Sequence, residues 1–243
     1  MKTRAYGPDL SAIHHDAFGS VAREAGPSVV RWLTSAGIRR GLVVDLGCGS
    51  GILAAYLLSH GYDVLGIDAS VAMLRIARGI APRAKFVEGR AEVASLPRCA
   101  AVIATGESIT YLGDRAKPGP LLALHIQRVA RALTPGGLFV FDAVVAREGK
   151  AMSYIVWRSS VDWDVVADVR EDPQRRAVTR RIVTFTRRGQ QYRRSEERHR
   201  VGVYERQDVL GLLRAHGFRA HTRPSYGDTP MPRRAVFVAR LSH

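Results

Sequence analysis

Apolar residues recur at helical intervals near the start of the chain, and further on they form short runs separated by amphipathic segments. Up to about residue 40, the apolar positions between Phe18 and Leu33 are spaced as on helices, and Pro27 lies among them. This spacing predicts a helical N-terminal cover over 1–40, built from two short helices that meet at Pro27.

Five short apolar runs follow, with helical segments among them. The runs "LVVDLG", "DVLGID", "AKFVEG", "CAAVIAT" and "LFVFDA" have the length and composition of buried strands. Ser70 is a suitable N-cap for the helix after the second run. Residues 205–243 resume the pattern with one helix and two strands. This order predicts an α/β domain over 41–150 and 205–243 with a mainly parallel, seven-stranded sheet.

Residues 151–204 interrupt this order with alternating polar and apolar positions. The alternation, with turn signals at Glu171-Asp172-Pro173 and at Gly189, predicts four antiparallel strands. Glu197 and His199 then share one face of the last strand. We expect this antiparallel β insertion to cover a substrate or to form a dimer interface.

The stretch "VVDLGCGSG" at 43–51 predicts a ligand-binding turn between the first strand and its helix. Glycine allows a ligand to lie against the backbone, and the carboxyl edge of an open α/β sheet is where such ligands bind. A dinucleotide loop needs a third glycine where Ile52 stands, and a P-loop needs a Lys-Ser/Thr pair that is missing here. The carboxylate of Asp45 favours an ammonium or sulfonium ligand over a pyrophosphate, and Asp68 suits a ribose diol.

Five segments, in this order and at this spacing, resemble the class I S-adenosylmethionine-dependent methyltransferases. "VVDLGCGSG" is similar to the family's first motif and "GIDAS" with "AMLRIAR" to its second region, while "FVEGRAEVASLP", "AVIATGESITYL" and "LTPGGLFVFD" are similar to the next three. The resemblance implies a Rossmann-like class I methyltransferase fold, the cofactor S-adenosyl-L-methionine and the product S-adenosyl-L-homocysteine. It also implies cofactor contacts from Asp45, Gly47, Cys48, Gly49, Gly51, Asp68, Ala69, Met73, Arg90, Ala91, Thr105 and Gly106.

The adenine edge departs from the family pattern at Arg90. The family often has an acid at this position, which accepts a hydrogen bond from the adenine amino group, whereas arginine is a donor only. The backbone of Ala91 or the side chain of Glu92 is the expected replacement.

Candidate catalytic residues lie after the fourth strand and in the cover. Glu107 and Tyr111 follow the fourth strand, where Glu107 is a candidate base or amine ligand and Tyr111 a candidate contact to the nucleophile. Their alternative roles are a helix N-terminal acid and a packing residue. His14 and His15 are candidate bases, of which we expect at most one to point inward because neighbours face different sides of a helix. A metal is not expected, since a third ligand at useful spacing is missing.

Substrate contacts are expected from both covering segments. The candidates are Phe18, Trp157, Arg180 and His199, with the alternative that Glu197 and His199 pair with Arg180 across the sheet. An insertion after strand five that ends in E-x-H-R resembles bacterial small-molecule methyltransferases, including some that act on amino-sugar nitrogens. A small-molecule methyl acceptor is therefore the leading hypothesis.

A formal charge of +15 leaves nucleic acid open as a partner. However, 33 of the 37 basic residues are arginine, a bias that a GC-rich genome also produces. An RNA methyltransferase is the second hypothesis, although "TGES" lacks the Asn/Asp-Pro-Pro-aromatic element of base N-methylation. The third is another use of the cofactor, such as internal cyclisation or a non-catalytic sensor.

The remaining expectations concern the location and assembly of the protein. The first 16 residues lack the apolar core of a secretory signal, and there is no uninterrupted apolar run of the roughly 20 residues that a membrane helix needs. Two cysteines, Cys48 and Cys99, suit a reducing cytoplasm. We expect a cytoplasmic monomer or homodimer that does not bind membranes.

Overall fold

The computed structural model describes residues 5–113, 116–147, 149 and 151–242. Within these residues the chain forms an α/β structure in which helices cover a large mixed sheet. The helices are α1 Pro8–Phe18, α2 Ser20–Ser35, α3 Ile52–Ser59, α4 Val71–Ile80, α5 Pro118–Ala132 and α6 Arg206–Ala215, with a 3₁₀ turn at Ser108–Thr110. The strands are β1 Leu42–Leu46, β2 Asp63–Asp68, β3 Lys85–Glu88, β4 Cys99–Ala104, β5 Leu133–Val145, β6 Ser153–Ser159, β7 Trp163–Asp172, β8 Ala177–Arg188, β9 Gln191–Tyr204, β10 Phe218–Arg223 and β11 Arg234–Leu241.

The central sheet has the predicted seven strands in the order β3-β2-β1-β4-β5-β11-β10. The first five strands are parallel, while β11 runs antiparallel to β5 and to β10. The chain passes between these parallel strands through crossover helices or loops, because two neighbouring parallel strands cannot be joined by a tight hairpin. The carboxyl ends of β1, β2, β4 and β5 therefore meet at one edge of the sheet, and this places the residues that follow them in one region.

Apolar side chains fill both faces of this sheet, because helices cover it on both sides. Along β1, Val43 packs against α2 and α3, whereas Val44 packs on the opposite face against α5. Phe141 is fully buried, and its ring stacks against Phe139 at 4.7 Å and Phe237 at 4.9 Å. Among the described residues, no helix combines the length and the apolar content needed to cross a bilayer.

The N-terminal cover consists of α1 and α2, but the predicted break at Pro27 is wrong. Pro27 lies inside α2, and the two helices are separated at Gly19 instead. Proline removes one helical hydrogen bond, but α2 packs so closely on α3 that a Cβ on Gly26 would lie 2.7 Å from the ring of Tyr56. We infer that this packing keeps α2 continuous through Pro27.

The insertion is an antiparallel meander of β6, β7, β8 and β9, as the alternation predicts. One face packs against α1, where Leu10 and Ile13 contact Val165 and Ile182. The end of β9 pairs in parallel with the end of β5, joining Val203 and Tyr204 to the central sheet. The division into a 41–150 and 205–243 domain and a 151–204 insertion stays a prediction.

The stacked phenylalanines generate a prediction about stability. Phe141→Ala leaves a cavity between two rings and should lower the free energy of unfolding by about 3–5 kcal/mol. Ile155→Ala is the control, because Ile155 is 70% exposed and its truncation should cost under about 0.5 kcal/mol. Urea unfolding measures both values. Equal losses for the two variants would contradict this assignment of the core.

Candidate functional site

The three glycines after β1 all adopt positive φ, but their surroundings differ. The φ values of Gly47, Gly49 and Gly51 are 79°, 51° and 78°. A Cβ on Gly47 would lie 2.2 Å from the Cβ of Ser108, and one on Gly51 would lie 2.9 Å from the Cβ of Ala77. A Cβ on Gly49 would meet no described atom within 4 Å. Gly47 and Gly51 therefore permit close internal packing, whereas Gly49 borders open space that a ligand can enter.

Asp68 holds this loop in place from the end of β2. Its Oδ2 accepts a hydrogen bond from the Gly49 backbone N–H at 2.9 Å, and its Oδ1 accepts one from the Ser70 N–H at 2.8 Å. Ser70 caps α4 as predicted, since its Oγ accepts from the Met73 N–H at 3.1 Å. Burial raises the pKa of Asp68, against the hydrogen bonds from these backbone groups. The carboxylate of Asp68 thus fixes both the glycine loop and the start of α4, where Met73 lies.

Asp45 is a buried carboxylate without a local partner. It is 1% exposed, and neither oxygen has a hydrogen-bond donor within the described residues. Burial, followed by the charge of Asp68, raises its pKa to about 7. An unpaired buried carboxylate is costly, and a cationic ligand beside it would remove that cost. The site therefore fits a ligand that carries an ammonium or sulfonium group.

The turn after β4 is fixed by a carboxylate that the sequence analysis missed. Asp142, at the end of β5, accepts from the Gly106 N–H at 2.7 Å and from the Glu107 N–H at 3.1 Å. The hydroxyl of Tyr226 donates to it at 2.9 Å. These bonds hold Thr105, Gly106 and Glu107 in place although both Gly106 and Glu107 have positive φ. The signal was an acid in the otherwise apolar run "LFVFDA", at the edge of the sheet where the ligand loop lies.

Glu107 is 1% exposed and lies between two arginines. Arg180 Nη1 of the insertion is 2.7 Å from its Oε2, and Arg234 Nε of β11 is 2.6 Å from its Oε1. Burial opposes ionisation, but the charges of Arg234 and Arg180 together lower the pKa of Glu107. The sequence analysis missed Arg234. This arginine directly precedes the apolar run "AVFVARL".

Both histidines of the cover contact the site, so the expectation that at most one points inward is wrong. His15 Nδ1 lies 2.9 Å from Ser50 Oγ in the glycine loop. The His14 ring contacts Tyr6 at 5.0 Å and Phe18 at 5.9 Å. Burial, and then the charges of His199 and His15, lower the pKa of His14 to about 4. Adjacent residues are about 100° apart around a helix, so a helix lying across a site can present both.

An aromatic group joins the cover, the turn after β4 and the insertion. The hydroxyls of Tyr6 and Tyr111 are 2.9 Å apart. The His199 ring lies 4.9 Å from Tyr6 and 5.6 Å from Tyr111, and its Nε2 is 2.8 Å from Glu197 Oε2. Arg180 lies opposite His199 in the register of β8 and β9, as the alternative expects, but its guanidinium turns to Glu107 and not to Glu197. Tyr6 was missed, since no periodic pattern marks a residue that precedes α1.

The other predicted residues are placed as follows. Trp157 is 68% exposed and lies on the opposite face of the insertion from Arg180, as the register of β6, β7 and β8 requires. Phe18 lies beneath the guanidinium of Arg158, 5.3 Å from its carbon. Arg90 Nε donates to Glu92 Oε1 at 2.9 Å. Of the remaining cofactor candidates, Cys48 lies in the glycine loop after β1, Ala69 follows β2 and Ala91 follows β3.

The described residues contain no cluster of three or more His, Cys, Asp or Glu side chains that is arranged to hold a metal ion.

The open space at Gly49 predicts two different results for two glycine substitutions. Gly49→Ala introduces a methyl where the cofactor is expected, and should weaken S-adenosylhomocysteine binding at least about tenfold, with a stability loss of about 1 kcal/mol from the positive φ. Gly47→Ala clashes with Ser108 and should lower the stability more. Calorimetry and urea unfolding separate the effects. Wild-type affinity in Gly49→Ala would contradict the assignment of the ligand surface.

The raised pKa of Asp45 predicts a pH dependence of stability. Because the folded-state pKa of about 7 exceeds the ordinary value of 3.8, the unfolded chain releases this proton first, and stability falls as pH rises between these values. From pH 5 to pH 8, the wild type should lose roughly 1–3 kcal/mol relative to Asp45→Asn. Urea unfolding of both proteins without ligand at several pH values gives this difference. A difference that stays constant with pH would refute the prediction.

The comparisons with known proteins agree with this geometry. Residues 43–137 match a family model described as "Methyltransferase domain". An uncharacterised methyltransferase of Mycobacterium tuberculosis is 32% identical over 141 residues, which cover 53% of this chain and 51% of the relative. The chain thus spans about half the length of this relative.

Two solved structures share the fold along nearly the whole chain. An S-adenosylmethionine-dependent methyltransferase of Clostridium acetobutylicum has a TM-score of 0.80 at 16% identity, covering 96% of this chain and 98% of that one. The sugar N-methyltransferase KedS8 of a Streptoalloteichus species has a TM-score of 0.77 at 21% identity, covering 100% and 98%. At this level of identity the likeness shows the fold: the chain has the fold of these S-adenosylmethionine-dependent and sugar N-methyltransferase structures, and its residues 43–137 are similar to the methyltransferase-domain family.

Proposed function

We propose that this protein transfers the methyl group of S-adenosylmethionine to a nitrogen, oxygen or sulfur atom of a small molecule. The observation that carries the proposal is a cavity of about 280 Å³ beside the turn after β4. Its lining includes Glu107, Arg180, Tyr226 and Arg234, together with Met152 and Met231. Five of its sixteen lining residues are charged, Glu24 and Arg233 being the other two, and most of the rest are apolar. Concave spaces that combine apolar side chains with polar groups are typical of small-molecule sites, and this volume lies just below their usual range of about 300–1,000 Å³.

The cofactor would lie along the carboxyl edge of the central sheet. Gly49 borders the open space, Asp68 has ribose-accepting lone pairs next to it, and the orphaned carboxylate of Asp45 suits the charged methionyl part. When bound, the cofactor supplies the electrophilic methyl group. The protein then has to align the acceptor and exclude water.

Glu107 has a positioning role in this proposal. Because its oxygens already face Arg180 and Arg234, and because these charges keep it ionised, it orients two guanidinium groups at the cavity wall. The cavity thereby presents donors to the acceptor molecule. Tyr111 lies four residues after Glu107.

Part of the arginine excess on the insertion is paired with acidic side chains. Arg170 pairs with Asp168 at 3.0 Å, and Arg181 pairs with Glu196 at 2.7 Å. Arg194 pairs with Glu196 as well, at 2.5 Å. These two carboxylates neutralise part of the local charge that an RNA backbone would bind, although the 12 arginines and 7 acidic residues of 151–204 leave it at +5. Since one structural neighbour is a sugar N-methyltransferase, amino sugars are the first acceptors to test.

The proposal predicts S-adenosylhomocysteine formation that depends on a small-molecule acceptor. The protein is incubated with S-adenosylmethionine and a panel of amino sugars, phenols, thiols and amines, and in parallel with transfer RNA and ribosomal RNA. Small-molecule acceptors should raise product formation at least about tenfold above the rate without acceptor. Chromatography with mass detection identifies the methylated acceptor.

Gly49→Ala serves as the binding-deficient control, and Ile155→Ala as the control with an intact site. Turnover of RNA alone would favour the second hypothesis over this one. Methylthioadenosine in place of S-adenosylhomocysteine would show that the cofactor is cleaved internally.

A further inference from the structure

The acceptor cavity of the proposed function has one wall in which opposite charges are paired. Arg180 Nη1 lies 2.7 Å from Glu107 Oε2, and Arg234 Nε lies 2.6 Å from Glu107 Oε1. The Nη1 of Arg234 is also 3.9 Å from Asp142 Oδ2. Two guanidinium groups therefore meet two carboxylates, and their formal charges cancel.

The third arginine of the lining, Arg233, is neutralised by a carboxylate that is not part of the lining. Its Nη2 lies 2.7 Å and 2.9 Å from the two oxygens of Glu171, and its Nε donates to the carbonyl of Val145 at 3.3 Å. Both charged side chains are largely buried, at 14% and 7% exposure. Arg233 thus holds the residues before β11 against β5 and β7, and its charge is already compensated.

Glu24 is the remaining charged residue of the lining. It lies in the second turn of α2, and Ser20 and Val21 of the first turn line the cavity with it. A Cβ on Gly227 would lie 3.3 Å from Glu24 Oε2, so this carboxylate lies against the loop between β10 and β11, which also lines the cavity. Within the described part of the chain, the carboxylate of Glu24 has neither an ion-pair partner nor a hydrogen-bond donor.

We propose that Glu24 binds a cationic group of the methyl acceptor and makes the cavity selective for small molecules that carry an ammonium group. This inference rests on the proposed function. The three arginines of the lining are matched by Glu107, Asp142 and Glu171, which leaves the carboxylate of Glu24 uncompensated. Hydrogen bonds between an ammonium group and a carboxylate are among the stronger ones in proteins. Glu24 takes no part in forming the new bond, because its role is to hold the acceptor by charge.

The other lining residues suit an organic cation. Tyr154 and Tyr226 are part of the lining, and the faces of tyrosine rings attract ammonium groups. Met152 and Met231 supply apolar surface for the carbon skeleton of an amine. A metal ion would need several oxygen, nitrogen or sulfur ligands, and the residues that the structure describes contain no such cluster of three or more His, Cys, Asp or Glu.

A carboxylate that is merely solvated at the rim would not affect which molecules bind, so paired probes distinguish the two roles. Calorimetry measures the binding of glucosamine and glucose, and of cyclohexylamine and cyclohexanol, to the S-adenosylhomocysteine complex at pH 6.5. The amines should bind the wild type at least about tenfold more tightly than their uncharged counterparts. Glu24→Gln should remove this difference, while its affinity for S-adenosylhomocysteine stays within about twofold of wild type.

Glu205→Gln is the matched control, since it makes the same substitution at an exposed position before α6, and it should keep the wild-type preference for amines. Equal affinities for amines and their counterparts in the wild type, or no detectable binding of any probe, overturn the proposal. A preference that survives in Glu24→Gln overturns it as well. Loss of S-adenosylhomocysteine affinity in Glu24→Gln has the same consequence, because it would show a structural role.

Turnover separates this proposal from the proposed function. With an amine acceptor from the panel, Glu24→Gln should raise KM at least about tenfold and leave kcat within about twofold, since only binding is weakened. Product formation with phenols or thiols alone overturns the role of Glu24 and leaves the methyl transfer standing. Absence of product with every acceptor overturns the proposed function, whereas the calorimetric preference tests the cation site directly.

Discussion

The buried charges at the carboxyl edge of the sheet are the constraint on which the rest of the site depends. Asp142 cannot lie unpaired at the end of an apolar strand without a large free-energy cost, and it obtains its donors from the turn after β4 and from Tyr226. That turn places Glu107 in the interior, and Glu107 in turn requires cations from two other segments of the chain. One strand end thus organises side chains from β8, β11 and the loop that contains Tyr226.

The cover and the insertion serve this arrangement in different ways. The insertion contributes Arg180 to the charge network and His199 to the aromatic group, from one face of two paired strands. The cover contributes no charge to the network. Its backbone donates a hydrogen bond to the carboxylate of Glu197, while His15 contacts the glycine loop and His14 contacts the aromatic group. The site is therefore built from segments that are far apart in sequence. Each segment contributes hydrogen-bond donors, charges or aromatic rings that contact side chains of the others.

The sequence predicted the strands, the mainly parallel sheet and the glycine loop well, because these depend on local periodicity and on motifs of fixed spacing. It placed Asp45 near the end of β1, Asp68 at the end of β2 and Ser70 at the start of α4 for the same reason. It missed Tyr6, Asp142, Tyr226 and Arg234, whose roles arise only from contacts between distant segments. It also assigned Arg180 the wrong partner, because cross-strand neighbours are readable from register whereas the direction of a long side chain is decided by the nearest buried charge.

The pairing of β9 with β5 has a mechanical consequence. Backbone hydrogen bonds run without interruption from β3 through the central sheet and on into the insertion. A hinge motion of the insertion would have to break that ladder, whereas the cover is attached mainly by side-chain and terminal backbone contacts. The wall that carries Arg180 and His199 therefore stays in register with the strands beneath it.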